Sequence, residues 1–157
     1  MPGVTMRFGA IGPIKMKNSK RKGVGMNIAL IAHDNKKKLM ENLCIAYRHI
    51  LVKHKLYATG TTGQILEDSA NLQINKYLAG HLGGEQQLSA QVALNDIDLV
   101  IFLRDPLSPK HYEPDIGSLL RLCDVHNIPV ASNLATAEAL LLSLDRGDLE
   151  WRLNLKR

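Results

Sequence analysis

The sequence predicts an α/β protein, a three-layer α/β/α sandwich on a five-stranded parallel sheet. Three observations carry this. From Met26 onward, short apolar runs alternate with longer amphipathic stretches, a pattern that calls for parallel strands joined by right-handed helical crossovers. Two of the runs, "IALIA" (28–32) and "LVIFL" (99–103), are apolar throughout, as strands covered on both faces must be. The polar residues useful for chemistry fall just after the strands, where such sheets bind their ligands.

Taken in order, "MNIALIA" (26–32) reads as the first strand. A helix over 35–53 follows, with Leu39, Leu43, Ala46 and Ile50 on one face. "KLYAT" (55–59) is the second strand, and "TGQILEDSA" (62–70) a short helix. "LQINKYL" (72–78) is the third strand, "GEQQLSAQVALN" (84–95) a helix, and "IDLVIFL" (97–103) the most apolar strand. A helix over 115–126 carries Leu119, Leu120, Leu122 and Val125. "IPVAS" (128–132) is the fifth strand and "TAEALLLSLDR" (136–146) the last helix. Trp151 and Arg152 either anchor the C-terminus to the domain or reach a neighbouring chain.

The 157 residues suit one domain with an aliphatic core, since aromatics make up only 4%. Cys44 and Cys123 form no CxxC pair and read as reduced core residues of a cytoplasmic protein. No apolar run reaches the length of a membrane span. The net charge of +5 is unevenly placed. Residues 1–25 hold Arg7, Lys15, Lys17, Lys20, Arg21 and Lys22 and no acid, so the remainder sits at −1. The basicity belongs to an extension, read as disordered, and the domain is 26–157. Nucleic-acid binding is therefore the weakest reading.

The strand ends carry the candidate site residues. His33-Asp34 follows the first strand, and either Asp34 caps the next helix or the pair faces a ligand. Lys36, Lys37 and Lys38 follow, of which one at the right helical angle can turn back to an anion. Thr59-Gly60-Thr61-Thr62-Gly63 follows the second strand. Thr61 or Thr62 can cap the helix, but three threonines around two glycines exceed what a cap needs and fit a phosphate loop. Gly80-His81-Leu82-Gly83-Gly84-Glu85 follows the third strand, bringing a carboxylate to the same edge. Asp105-Pro106-Leu107 follows the fourth, running on to His111, Tyr112 and Asp115; Asp115 can also cap the helix that starts there. The His and Asp residues show no metal-ligand spacing, so no metal is expected. His49 and His126 lie in helices and read as structural or exposed.

The blocks "LIAHDNKK", "LYATGTTG", "GGEQQ", "VIFLRDPL", "EPDIGSLLRLCDVHNIPVASNLATAEALL" and "LDRGDLEWR" together resemble the methylglyoxal synthase family. They keep order and spacing from about Met26 to Arg152. The resemblance implies a flavodoxin- or Rossmann-like topology and a carbon-oxygen lyase that needs no cofactor. That lyase converts dihydroxyacetone phosphate to methylglyoxal and inorganic phosphate. A carboxylate takes a proton beside the carbonyl, an enediolate forms and phosphate leaves. Such chemistry needs a positioned base, donors for the oxyanion and a phosphate grip that sets the torsion of the breaking bond.

Carried over residue by residue, the resemblance implies a substrate site of His33, Asp34, Lys37, Thr59, Gly60, Thr61, Thr62 and Gly80. The catalytic set is Glu85, Tyr112, Asp105 and Asp115. Two positions depart from the family pattern: Glu85 stands where Asp is usual, and Tyr112 where His is usual, with His111 one residue earlier. These departures motivate the alternative, a phosphate- or phosphometabolite-binding regulatory module with reduced or lost catalysis. The resemblance further implies a homohexamer inhibited by inorganic phosphate, with no nucleic-acid or membrane partner.

Overall fold

The computed structural model describes residues 5–7, 13–15, 25–107, 110 and 116–155. Near the N-terminus β1 (Thr5–Arg7) pairs antiparallel with β2 (Pro13–Lys15). The rest of the extension before Gly25 lies outside the described residues, so the reading of it as disordered rests on sequence.

The main sheet contains β3 (Asn27–Ala32), β4 (Lys55–Ala58), β5 (Ile74–Lys76), β6 (Leu99–Leu103) and β7 (Val130–Ala131). All four pairings are parallel, in the order β5-β4-β3-β6-β7. Chain order therefore reverses between β3 and β6, the place where a crevice opens above a sheet of this kind. These two strands are the ones the sequence made continuously apolar, and nearly every residue in them is buried on one face or the other.

Alternation along the strands divides the core. Ile28, Leu30, Leu99, Ile101 and Leu103 face one layer, while Ala29, Ile31, Val100 and Phe102 face the other. The first layer is closed by α1 (Lys37–Ala46), α2 (Arg48–Leu51), α3 (Gly60–Ala70) and α6 (Leu134–Asp145). The second is closed by α4 (Gly84–Ala93) and α5 (Ile116–His126). Both cysteines are buried, and burial pushes the thiol of Cys44 up to about 12 and that of Cys123 up to about 11. Both are protonated core groups.

Boundaries differ from the sequence reading in instructive ways. The helix expected over 35–53 is a 3₁₀ turn (Asp34–Lys36), then α1, a break at Tyr47, and α2. Tyr47 departs from helical geometry at ψ 21°, although its N–H still bonds the Leu43 carbonyl. The helix expected to begin at Thr62 begins at Gly60, placing Thr61 and Thr62 in its first turn. The third strand is shorter than expected, Ile74–Lys76. Asn71, Asn95 and Asn127 take positive φ just past α3, α4 and α5, the asparagine form of a helix stop.

The last helix, α7 (Trp151–Leu155), settles the question of the C-terminus. Arg152 is 2% exposed and donates to the carbonyls of His126 and Asn127 at 2.8 and 2.7 Å and to Asn95 Oδ1 at 2.8 Å. Its Nε lies 3.7 Å from Asp98, whose other oxygen accepts from the Asn27 N–H at 2.9 Å. The C-terminus is thus anchored to its own domain, at the edge of the sheet opposite the site.

Candidate active site

β3 ends at Ala32, and the next residue begins the site. His33 is buried and its ring meets Phe102 edge-on, with centroids 5.3 Å apart. Its Nδ1 accepts from the backbone N–H of Asp105 at 2.8 Å, and the His33 backbone N–H donates to the Leu103 carbonyl. An imidazole accepting at Nδ1 carries its proton on Nε2 when neutral. The ends of β3 and β6 are therefore tied together through His33 at the switch point of the sheet.

Asp105 is 7% exposed, and both carboxylate oxygens are engaged. Oδ2 accepts from Asn35 Nδ2 at 2.8 Å and Oδ1 from the Leu107 N–H at 3.1 Å. Asn35 was not singled out by sequence. It lies 70 positions from its partner, and only its place in "HDNKK" could have suggested a role. Of the two readings of Asp34, the helix cap is not the one found: His33 takes the N-cap position of the 3₁₀ turn. Asp34 lies inside that turn, 3.8 Å from Lys37 Nζ and 3.2 Å from Lys110 Nζ. Lys110 too escaped the sequence reading as a contributor.

Lys37, of the three lysines, does turn inward. Its Nζ donates to Thr62 Oγ1 at 3.0 Å and to the Ala32 carbonyl at 3.0 Å. This ties the amino end of α1 to that of α3. Thr59 occupies the N-cap position of α3 with no side-chain cap bond, so neither Thr61 nor Thr62 is the cap. Within the first turn, Gly60 donates its N–H to the Leu78 carbonyl and Gly63 closes the first helical bond to Thr59. Among the described residues no acceptor meets the N–H groups of Thr61 and Thr62. Two free amides at the positive end of an eleven-residue helix, beside an ammonium group and three hydroxyls, have the chemistry that suits an anion.

The carboxylate comes from the next crossover. Gly80 opens a 3₁₀ turn (Gly80–Leu82), and the space a Cβ would fill there is empty. Gly84 packs so closely on the chain that a Cβ would collide with the Leu78 carbonyl oxygen. Gln87, two residues beyond Glu85, accepts the Leu78 N–H at 2.8 Å. The Leu78 residue is thus held on both sides, through its N–H by α4 and through its carbonyl by Gly60. This stitch fixes the spacing between the anion loop and the helix that carries Glu85, and Gln87 is a further residue that sequence reading missed.

Thr59 and Glu85 line one cavity of about 550 Å³, whose walls include Ile31, Leu88, Phe102 and Leu119. Half-buried Glu85 opens α4 and faces the same space as the residue that begins the anion loop. The structure thus brings His33 to Asp105, Lys37 to Thr62, and Glu85 to the cavity shared with Thr59. Thr61 is exposed in the first turn of α3. His111, Tyr112 and Asp115 lie outside the described residues. His126 bonds the Ala93 carbonyl at 2.9 Å and exposed His49 stacks on Tyr47, so neither approaches the site.

Residues 41–132 match the MGS-like domain family. A methylglyoxal synthase from Caldicellulosiruptor saccharolyticus is 61% identical over 127 residues, covering 81% of this chain and 90% of that protein. One from Alkaliphilus metalliredigens is 58% identical over 131 residues, covering 83% of this chain and 98% of that protein. Among solved structures, methylglyoxal synthase from Elizabethkingia anophelis superposes with a TM-score of 0.72 at 39% identity, covering 74% of this chain and 77% of that one.

Proposed function

The chain belongs to the methylglyoxal synthase family, and from that premise we propose that it converts dihydroxyacetone phosphate to methylglyoxal and inorganic phosphate, with Glu85 as the base. The cavity shared by Thr59 and Glu85 carries the proposal, because a carboxylate and the first residue of the anion loop line one space open to a small phosphate ester. In this reading Lys37, the hydroxyls of Thr59, Thr61 and Thr62, and the backbone at Gly60 and Gly80 hold the phosphate. Glu85 takes the proton from the hydroxymethyl carbon. His33, with its proton on Nε2, donates toward the oxyanion that forms. Asp105 holds His33 in that tautomer through its backbone N–H, and Asp34 sets the position of Lys37. Asp115 completes the set by its match to the family pattern, and Tyr112 stands at the position where the family has His.

Proton abstraction alone gives an enediolate. Loss of phosphate requires the C–O bond to stand out of the enediolate plane, so the grip must fix a torsion as well as supply affinity. The Lys37–Thr62 bond and the Gly60–Leu78–Gln87 stitch supply that rigidity. Glu and Asp differ by only ~0.4 in ordinary pKa, so a glutamate base keeps the chemistry while changing the reach.

We further propose a cytoplasmic homohexamer that supports a glycolytic bypass and is inhibited by phosphate occupying the same grip. No nucleic-acid or membrane partner is proposed, and no helix among the described residues is long and apolar enough to cross a membrane. The second reading, a phosphate-binding regulatory module, draws on Glu85 and Tyr112 replacing Asp and His. Purified protein supplied with dihydroxyacetone phosphate distinguishes the two. Equal amounts of methylglyoxal and phosphate support the synthase; phosphate binding without turnover leaves the module.

A further inference from the structure

The cavity that holds Thr59 and Glu85 is larger and less polar than a three-carbon phosphate requires. Its volume of about 550 Å³ lies within the range of sites that enclose much larger ligands. Ile31, Leu88, Phe102 and Leu119 form apolar walls. Dihydroxyacetone phosphate carries an oxygen on every carbon and has nothing to set against them. In the proposed reaction its phosphate goes to the loop at Thr59 and its hydroxymethyl carbon to Glu85, and Glu85 shares its cavity with these apolar side chains, which gives an alkyl group on that carbon a surface to pack on.

We infer that the site also takes 2-ketone phosphates bearing a short alkyl group on that hydroxyl-carrying carbon. The simplest is 3-hydroxybutan-2-one 1-phosphate. The inference rests on the proposed synthase activity and extends its substrate class. The chemistry needs no further reactant. Glu85 takes the C3 proton, and the C–H electron pair becomes the C2=C3 bond as the carbonyl oxygen gains charge. The C3 hydroxyl then loses its proton and becomes a carbonyl. The pair moves to C1=C2, the C1–O bond breaks and phosphate leaves. Protonation at C1 gives butane-2,3-dione. The methyl group rests against the apolar walls throughout.

The test uses the full-length protein with both substrates and two variants at exposed positions of the cavity wall, Ala90→Phe on α4 and Ser118→Phe on α5. The wild type should form butane-2,3-dione and phosphate in equal amounts, with kcat/KM within about tenfold of the parent reaction. Each variant should lower this reaction at least ~tenfold while changing turnover of dihydroxyacetone phosphate by less than about threefold. Turnover of dihydroxyacetone phosphate without butane-2,3-dione overturns the inference and leaves the proposed function standing. Equal losses on both substrates in the folded variants also overturn it. Failure of the wild type on both substrates overturns the proposed function as well.

Discussion

In the proposed mechanism Glu85 bears most of the chemical burden, and its backbone has little freedom. Gly84 before it packs against the Leu78 carbonyl, and Gln87 after it grips the Leu78 N–H. A shorter acid cannot be compensated by a shift of the main chain. Glu85→Asp should therefore withdraw the carboxylate by about 1–1.5 Å and lower kcat about 100-fold, with phosphate inhibition unchanged, as steady-state kinetics with and without added phosphate would show. His54 offers a separate residue-scale prediction. Its Nδ1 accepts the Met26 N–H at 3.0 Å just before β3. Burial, and then Lys53, lowers its pKa below the ordinary 6.5, against a smaller opposing pull from Asp145 and Asp98. A group held neutral in the fold contributes its full stability above the unfolded value and loses it as pH falls from there through the folded value. The urea midpoint should drop as pH falls below 6.5, and more shallowly in His54→Gln.

At the scale of elements, the site depends on how three crossovers are tied together. The stitch from Gly60 through Leu78 to Gln87 joins α3, the chain after β5, and α4. Gln87→Met keeps the length of the side chain and removes the acceptor. We expect kcat to fall about 10–100-fold with phosphate affinity within about threefold of wild type, a split that general loosening of the fold would not produce. The components were legible in sequence to different degrees. The "TGTTG" loop was readable because glycine and threonine have few other reasons to cluster after a strand. Glu85 was readable by its place beyond the third strand. Gln87 and Asn35 were not, because each meets a partner that periodicity cannot supply: a backbone N–H nine residues away in one case, and a carboxylate 70 residues away in the other. The break at Tyr47 was hidden by an apolar period that runs on through Ile50.

Across the whole molecule, the sheet separates stability from chemistry. Its carboxyl edge carries the candidate site, while its opposite edge is held by Arg152, Asp98 and the helix and strand ends they bind. Arg152 stays charged in a buried setting that lowers its pKa, an effect of desolvation partly offset by Asp98. Removing one member of such a buried pair leaves the other uncompensated. Arg152→Met should cost about 3–5 kcal/mol in denaturant unfolding, while kcat at a temperature where the variant remains folded changes little. The alternation of strands and helices made the layers and the parallel sheet predictable. Sequence left Arg152 undecided, because an arginine near a chain end is ordinarily solvated and only the fold brings the two segments 95–98 and 126–127 around it.

In the proposed mechanism Glu85 moves the proton while the loop at Thr59–Thr62 holds the phosphate. The most direct measurement compares wild type and Glu85→Gln for methylglyoxal formation from dihydroxyacetone phosphate, with phosphate binding followed in parallel. Glu85→Gln should lose about 10²–10⁴-fold or more in kcat with phosphate affinity retained. A Glu85→Gln protein that still turns over near the wild-type rate would contradict it.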